Sequence, residues 1–371
     1  MKKIAVVSVI NDLATDQRVQ RTASVLSEQG FHVVLFGRKL RNSPPVHQLP
    51  CETRRIRMIF TNGPLFYFFF NIRLFFFLLS KKADLLFAND LDTLYPNYLV
   101  SRIKKLALIY DSHEIFCEVP ELKHTPLKKR IWERLEKKIV PHLKHCITVN
   151  QSIAGFFYQK YGVCFQVVRN IPESVTGFTP KSRKELKIPE DKTILILQGA
   201  GINVQRGAEE LIEAMKSVQH AHLFIIGGGD VFDKLRYQVF ENKLESKITI
   251  LSKMPKSELL HYTYNADIGI SIDKDTNLNY HFSLPNKIFD YLQAHLAILA
   301  SRLPEIENLI KHYDTGCFIH HHEPGHIAER INFMIESGQI SKWKENTHKA
   351  ISENNWDSEK EKLKSLINSI H

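Results

Sequence analysis

An unbroken apolar run, residues 4–10, opens the chain, and short runs of the same kind return at 32–37, 84–88, 107–110, 146–149 and 166–168. Continuous hydrophobicity over so few residues is the pattern of strands buried on both faces of a parallel sheet, with crossover helices in the mixed stretches between. One such helix reads over 18–29, with Gly30 as its stop. The pattern breaks between 170 and 191, where Pro172, Gly177, Pro180 and Pro189 lie among polar residues and mark a domain boundary. It restarts with strands at 193–198, 222–226, 248–251, 267–272, 297–300 and 316–319, a helix at 209–218, and a polar helical stretch from about 326 to 370. The expectation is an α/β chain of two doubly wound, Rossmann-like domains, 1–172 and 173–350. Residues 351–371 form a C-terminal helix, for which a return to the first domain is one placement. Tandem sheets of this kind would turn the carboxyl ends of their strands toward a shared cleft, and ligands bind beyond those ends.

Composition adds little until charge is mapped along the chain. The 371 residues allow two cores, and 43% hydrophobic with 24% charged content is ordinary for a globular protein. Cys51, Cys117, Cys146, Cys164 and Cys317 are scattered and odd in number, which fits a reducing cytosol rather than a disulfide framework. Lys2 and Lys3 before the first apolar run resemble the start of a signal peptide. The run is only seven residues long and Asn11-Asp12 follows it, so a first strand fits better. Residues 1–170 hold 26 Lys+Arg against 13 Asp+Glu, and residues 171–371 hold 24 against 27, so the first half carries +13 and the second −3. That asymmetry suggests an anionic partner for the first half, a membrane surface or nucleic acid. Within it, 65–79 contains eight Phe or Tyr among fifteen residues, with Arg54, Arg55 and Arg57 upstream and Lys81-Lys82 after. Asn71 and Arg73 interrupt the run, which is too short to span a bilayer. A helix in a membrane interface is favoured, and a core helix apolar all round is the alternative. The run is too apolar for a solvated base-stacking surface, so nucleic acid is not expected.

Candidate chemistry lies just after strands. Ser283-Leu284-Pro285-Asn286-Lys287-Ile288-Phe289-Asp290-Tyr291 follows a strand and a polar and aromatic loop, then opens a helix. Free N–H groups and the dipole at a helix start suit a diphosphate, and Asn286 and Lys287 stand there. Asp290, three residues on, shares a face with Lys287 and suits ribose hydroxyls. An ordinary helix start with a charge pair is the competing reading. The loop from Gly199 through Gly201 to Arg206-Gly207 offers close backbone approach and a guanidinium fork, or simply a Gly-rich turn. It lacks the ending of a Walker loop and the spacing of a dinucleotide fingerprint. Gly228, within Gly227-Gly228-Gly229, is a weaker candidate of the same kind. In Asp111-Ser112-His113-Glu114, His113 can bond a sugar hydroxyl or stabilise charge while Glu114 orients it or meets an acceptor. A loop histidine capping a helix is the plainer account. Asn11-Asp12 and Asp16-Gln17-Arg18 follow the first strand and suit an acceptor, or cap a helix. His320-His321-His322 with His326, and His142, His145 and Cys146, read as solvated loop residues rather than metal ligands. No metal is expected.

Taken in order, these motifs resemble the family four, group 1 glycosyltransferases of the GT-B fold. The resemblance runs through 16–21, Asp111 to Glu114, Arg169-Asn170-Ile171-Pro172, 199–207, 266–270 and 285–290. It implies sugar transfer (EC 2.4) from a UDP- or GDP-sugar to a lipid-linked or cell-envelope glycan. Such enzymes usually retain the anomeric configuration and need neither metal nor other cofactor. It implies further that Arg206 and Lys287 bind the donor diphosphate, Asp290 the ribose, and that His113 approaches the donor sugar. A bacterial polysaccharide enzyme, cytoplasmic and peripheral on the inner face of the cell membrane, is the expectation. Three positions depart from the family pattern. Phe282 stands where a first glutamate is usual, Gly201 where an arginine often precedes the diphosphate cation, and His295-Leu296-Ala297 replaces Gly-x-Pro. A GT-B nucleotide-sugar 2-epimerase and a non-catalytic binding or assembly protein are the alternatives.

Overall fold

The computed structural model describes residues 2–370 except 42, 44, 45, 47–50, 124 and 176. Met1 of the signal-like start and His371 of the terminal helix lie outside the described residues. The chain divides into two compact units, residues 1–170 with 357–371, and residues 171–356.

The first unit is built on a seven-stranded parallel sheet of β1 (Ile4–Asp12), β2 (His32–Arg38), β3 (Glu52–Ile56), β4 (Leu85–Asn89), β5 (Ala107–Ser112), β6 (His145–Thr148) and β7 (Gln166–Val167). Their order is β3-β2-β1-β4-β5-β6-β7. Sequence order reverses between β1 and β4, which is where ligands of doubly wound sheets bind. β3 has no apolar run and is mostly exposed; it joins the edge only by pairing its backbone with β2. The first helix, Gln17–Glu28, begins where the Asp16 carboxylate accepts the Val19 N–H.

The aromatic segment forms the helix Gly63–Ser80 and has two unlike faces. Phe66, Phe70, Leu74 and Leu78 are buried, one residue per turn, and Phe36 of β2 meets Phe70 and Phe77 at 5.7 and 4.8 Å between ring centres. That stripe caps the sheet. The opposite stripe (Leu65, Phe68, Phe69, Ile72, Phe76 and Leu79) is exposed, Phe68 by 58% and Phe76 by 62%. The core and surface readings of this helix therefore describe two faces of one element. At 18 residues it is long and apolar enough, by length and composition only, to cross a membrane, contrary to the expectation that the run is too short.

The second unit holds a six-stranded parallel sheet of β8 (Thr193–Gly199), β9 (Ala221–Gly227), β10 (Ile248–Ser252), β11 (Ile268–Ser271), β12 (Ala297–Ser301) and β13 (Gly316–Ile319), ordered β10-β9-β8-β11-β12-β13. Alternate residues of β8 enter different cores: Leu195 and Leu197 on one face, Ile194 and Ile196 on the other. Both faces are thus covered, which is why the strands read as continuous apolar runs. The helix expected over 209–218 is shorter, Ala208–Ala214, and the C-terminal stretch is three helices, Pro324–Glu336, Ile340–Glu353 and Trp356–Ser369.

Candidate functional site

In the second unit the reversal falls between β8 and β11, and polar side chains converge beyond their carboxyl ends. After β8, Gly199 accepts the Gly228 N–H at 3.2 Å and Gly228 accepts the Ile202 N–H at 2.7 Å, so the loops after β8 and β9 are tied together. Gly201 lies in the same turn. Gly207 closes it with φ +76°, and a side chain there would collide with the Ile272 carbonyl. The turn delivers Arg206 onto the Tyr280 ring, 4.3 Å from guanidinium to ring centre. Arg206 Nη1 also lies 3.2 Å from Asp273 Oδ1.

Asp273 is fully buried just past β11. Its other oxygen, Oδ2, lies 3.6 Å from Lys287 Nζ. Both cations stand at ion-pair distance, yet neither carboxylate oxygen is met with hydrogen-bond geometry among the described residues. Burial pushes the Lys287 ammonium pKa below its usual range, with Asp273 opposing and Arg206 reinforcing that shift. Burial would also lower Arg206, but Asp273 overrides it and raises the guanidinium. Around this cluster Lys274 pairs with Glu210, and Gln205 accepts the Lys274 N–H at 2.9 Å and the Thr276 hydroxyl at 2.6 Å. The short helix Leu278–His281, which carries Tyr280, lies in what the sequence suggested was plain loop.

Lys287 and Asp290 stand on the helix Asn286–Gln293, with Pro285 at its cap and Asn286 in its first turn. Asp290 accepts Gln198 Nε2 at 3.3 Å and lies 3.6 Å from Lys256 Nζ, while Gln198 Oε1 accepts Thr263 at 2.7 Å. The helix ends in a Schellman arrangement: Leu296 N–H to Tyr291 O, His295 N–H to Leu292 O, both 3.0 Å. His295 occupies the left-handed position, φ +56°, that a glycine would take most easily, and its Nδ1 meets Thr347 Oγ1 at 2.8 Å. The departure at 295 therefore keeps the backbone that the usual glycine serves.

In the first unit the switch point between β1 and β4 is crowded with carboxylates. Arg18 does not stand open to a ligand. Its Nε and Nη2 donate to the two oxygens of Asp111 at 2.8 Å each, and its Nη1 donates to Val168 O at 2.9 Å. Asp12 is likewise engaged, by Ser43, by Arg55 Nη2 at 2.8 Å and by the Ala14 N–H at 3.1 Å. Burial would raise its pKa, but these partners lower it. Arg55 is thereby withdrawn from the basic surface. Asp16 caps its helix, and exposed Asn11 donates to it at 3.1 Å.

His113 stands between two acids, Nδ1 3.2 Å from Asp90 and Nε2 3.1 Å from Asp111. Burial disfavours its imidazolium, yet Asp90 and Asp111 raise its pKa well above the usual value. Burial would raise Asp111, but Arg18 and His113 bring it down to about 2. Asp92 is buried nearby, its carboxyl raised by burial and then by Asp90 and Glu114. Asp90 itself has φ +59°, an uncommon backbone for a residue other than glycine, and accepts the His113 N–H at 3.0 Å.

Residues 16–175 match the family model described as Glycosyltransferase Family 4, and residues 178–356 the one described as Glycosyl transferases group 1. The chain belongs to the family four, group 1 glycosyltransferases. No curated protein matches the transferase in sequence. Among solved structures, sucrose-phosphate synthase from Thermosynechococcus elongatus superposes with a TM-score of 0.81 at 15% identity, covering 100% of this chain and 99% of that one. WaaG, a glycosyltransferase involved in lipopolysaccharide biosynthesis, gives 0.75 at 16% over 98% and 99%. Anabaena HepE, in complex with UDP and glucose, gives 0.76 at 14% over 100% of both chains. At such identities the likeness is one of fold, and that fold is GT-B.

Four residues of the transferase's second-unit cluster escaped the sequence reading: Gln198, Lys256, Asp273 and Tyr280. Asp273 alone had a signal, since it directly follows a strand. A cavity of about 470 Å³ in the same unit, lined by Phe178, Tyr264, His295 and His348 among others, shares no residue with the cluster. His322, read as a solvated loop residue, instead lies just past the end of β11, its Nε2 3.0 Å from Ile272 O. No group of three or more metal-ligating side chains occurs among the described residues.

Proposed function

We propose that this transferase moves a sugar from a UDP- or GDP-sugar to a lipid-linked or cell-envelope glycan, with retention and without a metal. The observation that carries the donor assignment is the convergence of Arg206 and Lys287 at the switch point of the second sheet. Two cations and a helix N-terminus supply the charge that a departing nucleoside diphosphate requires. The bond from the anomeric carbon to the diphosphate oxygen breaks as the acceptor oxygen bonds to the same face of that carbon. The acceptor proton passes to the departing diphosphate. Asp290 is assigned to the ribose hydroxyls, and Gly199, Gly201, Gly207, Gly228 and Asn286 to backbone approach around the phosphates. Bound UDP in HepE supports this choice of donor class.

Acceptor binding is assigned to the first unit, with Asn11 and Asp16 at its margin and His113 and Glu114 as its candidate catalytic residues. Asp12 and Arg18 hold that region in shape. The exposed apolar stripe of Gly63–Ser80, beside exposed Arg54, Arg57 and Arg73, fits an anionic lipid surface, as an enzyme on a lipid-linked substrate at the inner membrane face requires.

A thermal-shift screen against UDP, GDP, ADP and CMP tests the donor reading. Stabilisation by UDP or GDP, growing with concentration as mass action demands, is the expected result. A folded sample that responds to none of them would overturn it.

A further inference from the structure

We propose that Asp273 is a resident counter-anion of the donor site, competing with the nucleoside diphosphate for Arg206 and Lys287. The inference rests on the donor reading above and adds a residue whose charge opposes that ligand.

The argument starts from what a buried carboxylate needs. An ionised group with no solvent access is tolerated only beside compensating charge. Asp273 is fully buried, and its compensation is Arg206 at 3.2 Å and Lys287 at 3.6 Å. The stacking of Arg206 on Tyr280 and the seating of Lys287 on its helix hold both cations in place from their far sides. Neighbouring charges cancel among themselves, Lys274 with Glu210 and Lys256 with Asp290. The cluster thus presents one net positive charge rather than two. At 3.2 and 3.6 Å the contacts of Arg206 and Lys287 with Asp273 are longer than close charge-assisted hydrogen bonds, so a phosphate can compete for both cations.

Two consequences follow. Without ligand, Asp273 keeps two half-buried cations from repelling one another. With ligand, its negative charge stays beside the diphosphate and weakens the site's hold. An enzyme that stabilises its leaving group too well in the ground state releases product slowly, and product release limits turnover in many enzymes. Asp273 biases the site toward release.

The experiment compares wild type with Asp273→Asn, which keeps the shape and removes the charge, by titration calorimetry with UDP, GDP and inorganic pyrophosphate. The expected result is at least tenfold tighter binding of the favoured nucleotide, with a comparable gain for pyrophosphate because the effect acts on phosphate. Free Asp273→Asn should melt below wild type and gain more on ligand addition. In turnover it should show a lower kcat with a product burst. Unchanged or weaker binding in a folded variant would overturn the inference and make Asp273 a positioning residue for the cations. If neither protein binds any of the three ligands, the donor reading falls and takes the inference with it. Asp273→Ser serves the same comparison should the asparagine variant fail to fold.

Discussion

The ring of Tyr291 rests directly on Gly269 of β11, so closely that a β-carbon at 269 would lie inside its van der Waals surface. The Tyr291 hydroxyl completes the contact at Ile270 O, 3.1 Å, and the Gln198 N–H, 3.2 Å. This pair helps to set the helix that carries Lys287 and Asp290 against the sheet, together with buried Ile288, Phe289 and Leu292. Gly269→Ala should cost about 1–3 kcal/mol, as overpacking does. It should also weaken nucleotide binding by displacing that helix. Urea unfolding and calorimetry on the same preparation check both.

Arg206→Ala and Lys287→Ala should each weaken UDP or GDP binding. Hydrogen bonds to charged groups contribute about 1.5–3 kcal/mol, so losses of about 10- to 100-fold are expected. Asp290→Ala should weaken the nucleotide without weakening inorganic pyrophosphate, because its assigned partner is the ribose and its loss uncovers Lys256. Equal losses for both ligands would remove that assignment.

Arg18→Ala strips a buried carboxylate of its bidentate partner and should destabilise the first unit by about 3–5 kcal/mol. Arg18→Lys restores the charge but not the fork, so only part of the loss should return. Protection of β1 and β5 amides from hydrogen exchange reports the effect within that unit. A stable Arg18→Ala protein with a raised KM for acceptor would instead restore Arg18 as a binding group.

The His113 and Asp111 pair gives the first unit a pH signature on both sides of neutrality. His113 has its folded pKa raised, so its contribution is complete below about 6.5 and is lost as pH rises through the folded value. Asp111 has its folded pKa lowered to about 2, so its contribution is present above about 3.8 and is lost as pH falls toward 2. Hydrogen exchange in β5 should quicken at both extremes. His113→Gln should flatten the alkaline limb and leave the acid limb in place; an unchanged alkaline limb would contradict the imidazolium assignment.

The two faces of Gly63–Ser80 should respond differently to the same chemistry. Serine at Phe68, Phe69, Ile72 and Phe76 should leave the protein folded and release it from anionic vesicles in a flotation assay. Serine at Phe70 alone should cost several kcal/mol, as large-to-small core changes do. Unchanged vesicle binding in the fourfold variant would remove the lipid assignment.

Much of this organisation was legible because burial on both faces leaves little choice of residue. β1, β8 and β12 declare themselves as apolar runs. β3 does not, since Glu-Thr-Arg-Arg-Ile at a sheet edge contributes only its backbone. Lys287 and Arg206 were legible from their places at a helix start and in a glycine loop. Asp273 was not, because nothing local shows that a carboxylate after one strand meets cations on two other segments. The fate of Arg18 was hidden for the same reason: its partner lies 93 residues further on. The exposed stripe of the aromatic helix was half legible, since composition reveals apolarity but not which side a sheet will cover.

The last helix belongs with the first 170 residues: Glu359 accepts the Arg169 N–H at 2.8 Å, and Lys360 and Lys364 reach Glu28 at 2.7 and 3.5 Å. The second unit is therefore an insertion within the first: its residues are contiguous in sequence, whereas those of the first come from two separate stretches. The first unit, although begun earlier, gains residues 357–371 only after the whole of the second has been synthesised. Birth order and completion order are thus opposite in this chain, and a nascent protein stalled near residue 356 would hold all the residues of the second unit while the first still lacked residues 357–371.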